Sequence, residues 1–162
     1  MSQLMLLARI GDGRYALETA NIVEIIHRVE LTQGIGMPTE VSGRFNYYGQ
    51  IVPVVDLSRL LTGEASRLAL GTRIVLVSLP QSDGNASLMG VLVEYVAETI
   101  ERRYFDDIET DDKALPNKAP ANVALSGAAY LGKTLLYEGD IIQCLHLETL
   151  LIEIREKVSA LA

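Results

Sequence analysis

Thirteen residues recur ninety positions apart, and that recurrence limits the fold more than any other feature of the chain. The first copy is Gly49-Gln50-Ile51-Val52-Pro53-Val54-Val55-Asp56-Leu57-Ser58-Arg59-Leu60-Leu61. The second is Gly139-Asp140-Ile141-Ile142-Gln143-Cys144-Leu145-His146-Leu147-Glu148-Thr149-Leu150-Leu151. Five positions are identical and three more are apolar in both. Each copy reads as a turn glycine, a buried strand and the start of a leucine-faced helix. A second echo, at an offset of 74, matches Glu24 to Glu98 and Ile26 to Ile100. The pattern predicts two similarly built halves, with a cleft between them and two outer surfaces. Polar positions diverge between the copies, Pro53 against Gln143 and Asp56 against His146, while the apolar ones hold. A shared packing scaffold diverges in this way; a duplicated catalytic site would keep its polar groups.

Composition narrows the function. The chain has 162 residues, 49% of them hydrophobic, which suits one compact domain or two small lobes with a real core. A net charge of −7 argues against binding a phosphate backbone or an anionic membrane surface. The lone cysteine, Cys144, excludes an intrachain disulfide and a cysteine-rich metal site, and reads as a buried small hydrophobe. The apolar run at residues 4–8 stops at Arg9, so neither a leader nor a membrane span is expected, and the chain reads as cytoplasmic.

Strands are expected at residues 4–10 and 14–18, joined by the Gly11-Asp12-Gly13 turn, and at residues 21–27. Two more follow at residues 43–48 and 50–55, with Pro53 favouring an edge or a bulge. Leu57, Leu60 and Leu61 share a face of a short helix that ends at Thr62-Gly63. Residues 72–79, 88–93 and 96–100 read as further strands, and the acidic, Pro/Ala-rich stretch at 106–120 as a long loop. Leu147, Leu150, Leu151, Ile154, Val158 and Leu161 form one stripe of a C-terminal amphipathic helix, over residues 147–160.

The stretch Val41-Ser42-Gly43-Arg44-Phe45-Asn46-Tyr47-Tyr48-Gly49-Gln50-Ile51-Val52-Pro53-Val54-Val55-Asp56-Leu57 resembles the CheW family of chemotaxis coupling proteins. Arg14-Tyr15-Ala16-Leu17, Val23-Glu24-Ile25 and the run from Met89 to Val96 match as well, as does the closing strand and helix. The resemblance implies a single mainly β domain over residues 1–162. In it, two SH3-like five-stranded β-barrel subdomains, about 14–70 and 71–146, carry a short linker helix and a C-terminal amphipathic helix, with the N-terminal strand packed on the barrels. It implies no catalysis and no cofactor. The implied partners are a chemoreceptor's cytoplasmic tip and the regulatory domain of a histidine kinase, joined by a free-standing adaptor. A stand-alone SH3-like module binding a peptide or small ligand outside chemotaxis is the alternative.

By matching motif positions, the resemblance places Ile22, Glu24, Tyr48 and Val93 at the receptor groove. Tyr47 joins them because adjacent strand residues point to opposite faces, and tyrosine is enriched at interfaces. Pro120, Asn122 and Val123 are the corresponding kinase or coupler contacts. Family members usually carry arginine where Tyr48 stands, paired to the acid at Glu24; with tyrosine there, at most one phenol hydrogen bond can replace the bidentate pair. No catalytic or metal site is expected. His27 and His146 each stand alone in a β-pattern, and no nucleophile elbow or phosphate loop is present. The acids between 106 and 112 lack the glycine and glutamate spacing of a calcium loop.

Overall fold

Left-handed turn residues set the strand ends. Tyr48-Gly49 and Glu138-Gly139 have φ of 50°, 88°, 51° and 82°, so each pair forms a two-residue hairpin turn of the kind that matches strand twist. The computed structural model describes residues 4–18, 20–81, 83–108 and 130–160. Its strands are β1 (Leu4–Ile10), β2 (Gly13–Glu18), β3 (Ile22–His27), β4 (Val41–Tyr47) and β5 (Gln50–Asp56). After helix α1 (Leu57–Thr62) come β6 (Arg73–Pro80), β7 (Ala86–Val93) and β8 (Tyr95–Glu101). A 3-10 turn (Arg102–Tyr104), the short β9 (Asp106–Asp107), β10 (Leu131–Tyr137), β11 (Asp140–Leu145) and helix α2 (Leu147–Ala160) follow among the described residues.

The strands make a five-stranded sheet, ordered β3-β6-β7-β5-β4, and a six-stranded sheet, ordered β8-β1-β2-β11-β10-β9. The two are built alike. Each centres on an antiparallel hairpin, β6–β7 or β1–β2, flanked on one side by a parallel strand, β5 or β11, and its hairpin partner. The registers agree residue for residue: Phe45 opposes Val52 as Leu135 opposes Ile142, and Arg44 opposes Pro53 as Thr134 opposes Gln143. Both sheets curl shut. Thr32 bridges Arg44 on β4, and β9 pairs Asp106 and Asp107 with Leu136 and Leu135 on β10.

The boundary expected near residue 70 does not separate the sheets. β3 to β7, residues 22–93, make the five-stranded barrel, whereas the six-stranded barrel draws β1 and β2 from one end of the chain and β8 to β11 from the other. β1 is thus an inner member of its sheet rather than a strand laid against it. The physical reason is the crossover. β5 and β7 run parallel, so the chain must pass through α1 and β6 before β7 can pair with β5. β10 was not anticipated either, although Tyr137-Glu138-Gly139 extends the ninety-residue repeat back from Tyr47-Tyr48-Gly49. Pro53 lies just before the stretch where β5 pairs with β7, so its missing N–H costs the sheet nothing on that side.

Among the described residues, three apolar clusters follow from strand alternation. Val52, Val54, Ile74, Leu76 and Leu92 fill the five-stranded barrel. Met5, Leu7, Ala16, Ile100, Leu135, Ile142 and Cys144 help fill the other. The alternate residues, Leu6, Leu17, Val55, Val75, Val91 and Leu145 among them, meet between the barrels in one shared core. Leu57, Leu60 and Leu61 of α1 and their counterparts Leu147, Leu150 and Leu151 of α2 enter that same core. Asp56 caps α1, and Gly63, at φ 83°, closes it. α2 begins at the equivalent position and runs on, tied to the five-stranded barrel by Arg155 on the Pro80 carbonyl (2.7 Å) and Lys157 on Glu40 (3.2 Å).

Candidate protein-interaction site

The β4–β5 hairpin throws its turn residue outward. Tyr48 sits at positive φ and is 91% exposed, and Asn46 Oδ1 accepts the Gly49 amide at 2.7 Å, which fixes the turn. The Tyr48 ring meets the Tyr47 ring edge-on, with centroids 4.7 Å apart. Tyr47 in turn donates its phenol hydrogen to Glu24 on β3. β3 and β4 are the two outer strands of their sheet, so this hydrogen bond latches the barrel seam. It also pushes the Tyr47 phenol up to about 12. The other barrel repeats the motif in weaker form: burial, then the negative charges of Glu138 and Glu98, raise the Tyr137 phenol.

The expected residues therefore divide. Glu24, Tyr47 and Tyr48 come together, but the phenol that reaches Glu24 belongs to Tyr47, because Tyr48 is a turn residue rather than part of the strand. Ile22 is half-buried against the shared core. Val93 is 0% exposed inside that core, which rules it out as a groove contact; it ends β7 on the face turned towards the other barrel. Pro120, Asn122 and Val123 lie outside the described residues.

Two apolar features escaped the sequence reading. The outer face of β3 exposes Val23 and Ile25, where the equivalent strand β8 carries Ala97 and Thr99. A cleft of about 450 Å³ opens beside the same barrel, lined by Ile35, Met37, Arg44, Ile51, Pro53 and Val158. Ile51 is 58% exposed and Ile35 fully so, against the usual preference of isoleucine for the interior. The only signal for this cleft in the sequence was the loop run Gly34-Ile35-Gly36-Met37-Pro38, which puts apolar side chains where a turn is expected.

Reactive groups do not converge in the cleft at Ile51. His27 is exposed at the end of β3. His146 is not alone, since its Nδ1 lies 2.8 Å from Glu18 Oε1. Burial, the largest influence, pushes the Cys144 thiol up to about 11, so it stays protonated and acts as packing. Among the described residues no group of three or more His, Cys, Asp or Glu side chains could hold a metal ion.

Two closed β-barrels around one core, with exposed aliphatic and aromatic side chains on both of them, Ile51 and its repeat equivalent Ile141 included, define a binding module rather than a reaction centre. Residues 4–155 match the model of the CheW-like domain, and the chain belongs to that family. It is 28% identical over 97 residues to the chemotaxis protein CheW of Helicobacter pylori (strain ATCC 700392 / 26695), a match covering 60% of this chain and 56% of that protein. It is 30% identical over 66 residues to protein FrzA of Myxococcus xanthus, covering 41% of each. These matches span about half the length of the relatives. The crystal structure of the scaffolding protein TtCheW from Thermoanaerobacter tengcongensis superposes with a TM-score of 0.68 over 93% of this chain and 88% of that one, at 20% identity, so the two share a fold.

Proposed function

We propose that the protein is a non-catalytic adaptor that couples a chemoreceptor-like protein to a histidine kinase in a chemotaxis-type two-component system. Membership of the CheW-like family supports this reading, and so does the likeness to a protein described as a scaffold. The observation that carries it is the contrast between equivalent strands. Val23 and Ile25 lie exposed on β3 beside the Tyr48 turn, whereas β8 shows small or polar residues at those positions. A solvent-facing strand has no packing reason to carry them, and such side chains are what a partner helix would bury.

In this reading Ile22, Glu24, Tyr47 and Tyr48 frame the receptor-tip surface, with Val23 and Ile25 as its apolar anchors. The cleft at Ile51 and Ile35, together with the proposed contacts Pro120, Asn122 and Val123, serves the kinase regulatory domain. The protein acts in the cytoplasm; among the described residues no helix is long and apolar enough to cross a membrane. A stand-alone peptide-binding module outside chemotaxis is not favoured by the family match.

Calorimetric titration with a coiled-coil receptor-tip fragment tests the surface. Val23→Asp places a charge where an apolar side chain would be buried, and should weaken binding at least about tenfold, roughly 1.4 kcal/mol. Equal affinity of wild type and Val23→Asp would remove β3 from the interface.

A further inference from the structure

The two barrels differ at one corner, and the internal repeat serves as the control. The pairing registers make Met5 equivalent to Ile74, Glu18 to Leu92, Cys144 to Val54 and Leu135 to Phe45. In the five-stranded barrel that corner is shut: Ile74, Leu92 and Val54 pack together with Phe45 and Leu31 against them. Asp56 turns away to cap α1 and bind Ser66. In the six-stranded barrel the same corner is open, with a cleft of about 270 Å³ in its place.

Its floor is Met5, Leu135 and Cys144, and its rim is Glu18, Arg102, Lys133 and His146. His146 stands where the repeat has the helix-capping Asp56, and here it bonds Glu18 instead. Gly132 stands where the repeat has Ser42. A Cβ on Gly132 would fall 2.9 Å from His146 Nε2 and 3.3 Å from Cys144 Sγ, so glycine keeps the mouth open. Replacing a packed leucine by glutamate and leaving a gap both sacrifice burial, and proteins break their packing rules mainly at functional sites.

The rim carries both signs. The Arg102 guanidinium is held by Asp107 at 2.5 Å and by the Phe105 carbonyl at 3.2 Å, which fixes its direction. Lys133 is exposed and only 3.9 Å from Asp107, which leaves its other hydrogens available. Glu18 accepts from His146 Nδ1 through one oxygen, which orients the ring and leaves acceptor capacity on the second oxygen and on Nε2. We propose that this barrel mouth binds a small zwitterion, an α-amino acid with a short aliphatic side chain. Arg102 and Lys133 take the carboxylate, Glu18 and His146 take the ammonium, and the side chain rests on Met5 and Leu135. The proposal does not rest on the adaptor reading.

The test uses the full chain and L-valine, with isovalerate and isobutylamine as the two halves of the same molecule, read by the NMR shifts of the Met5 and Leu135 methyl groups. L-Valine is expected to shift them saturably with a Kd of about 1 mM or tighter, and each half to bind at least about tenfold more weakly. Lys133→Gln, on an exposed side chain, should leave the remaining spectrum unchanged and weaken valine several-fold. Gly132→Ser, which installs the residue of the other barrel, should abolish the shifts. No saturable shift with valine at about 20 mM, or equal binding by either half, would overturn the proposal. So would unchanged affinity in Lys133→Gln.

Discussion

Leu151→Ala and Leu61→Ala test whether one core serves both barrels. The two leucines are repeat equivalents, 0% and 6% exposed, one on each helix and both in the shared cluster. Truncating a buried leucine removes its transfer free energy and leaves a cavity, which costs about 2–5 kcal/mol. Domains of this size lie only about 5–15 kcal/mol above unfolding, so a third of the stability is at stake. In a chain of 162 residues that loss lowers the melting temperature by roughly 5–15 °C. Calorimetry gives the size of the loss, and hydrogen exchange shows where it falls. Because the clusters interdigitate, Leu151→Ala should reduce protection in β5–β7 as well as in β2 and β11, within a single transition. Loss of protection in the six-stranded barrel alone, or two separate melting steps, would refute the shared core.

Two further outcomes follow from named contacts. Asp56 is buried, caps α1, and accepts from Ser66 N at 2.8 Å and Ser66 Oγ at 2.6 Å; Asp56→Ala should cost about 2–4 kcal/mol in urea unfolding and Asp56→Asn distinctly less, whereas a loss under about 0.5 kcal/mol would show the cap to be dispensable. The Tyr47 phenol, raised to about 12 by Glu24, should appear as one late step in ultraviolet titration and move back towards 10 in Glu24→Gln. Its folded value lies above its unfolded one, so the latch contributes fully below about pH 10 and fades as the pH climbs towards 12. A titration curve unchanged by Glu24→Gln would deny the bond.

Local signals carried much of the fold. The apolar run and glycine turn placed β1 at Leu4–Ile10, the leucine spacing marked both helices, and the ninety-residue repeat announced two like halves. Partnering was less legible. Periodicity says which residues of a strand share a face, not which strand lies beside it, so the reach of β3 to β6 and of β8 to β1 could not be read locally. Val93 shows the same gap at a site: alternation made it inward or outward with equal ease, and only the second barrel covers it. Tyr48 was read as strand because tyrosine favours strands and seldom takes positive φ; the following Gly49 was the clue to a two-residue turn. The cleft at Ile51 depends on a loop, β4–β5 and α2 meeting in space, and no single segment reports that.

If this chain is a coupling adaptor, it binds the regulatory domain of its cognate histidine kinase, and titration calorimetry measures that binding. Saturable one-to-one binding is expected, with a Kd of about 1 μM or tighter, near −8 kcal/mol, within reach of an interface of ordinary size. Ile51→Asp, which puts a charge into the exposed cleft, should bind at least about tenfold more weakly. Absence of any binding heat at about 100 μM kinase domain would contradict the adaptor role.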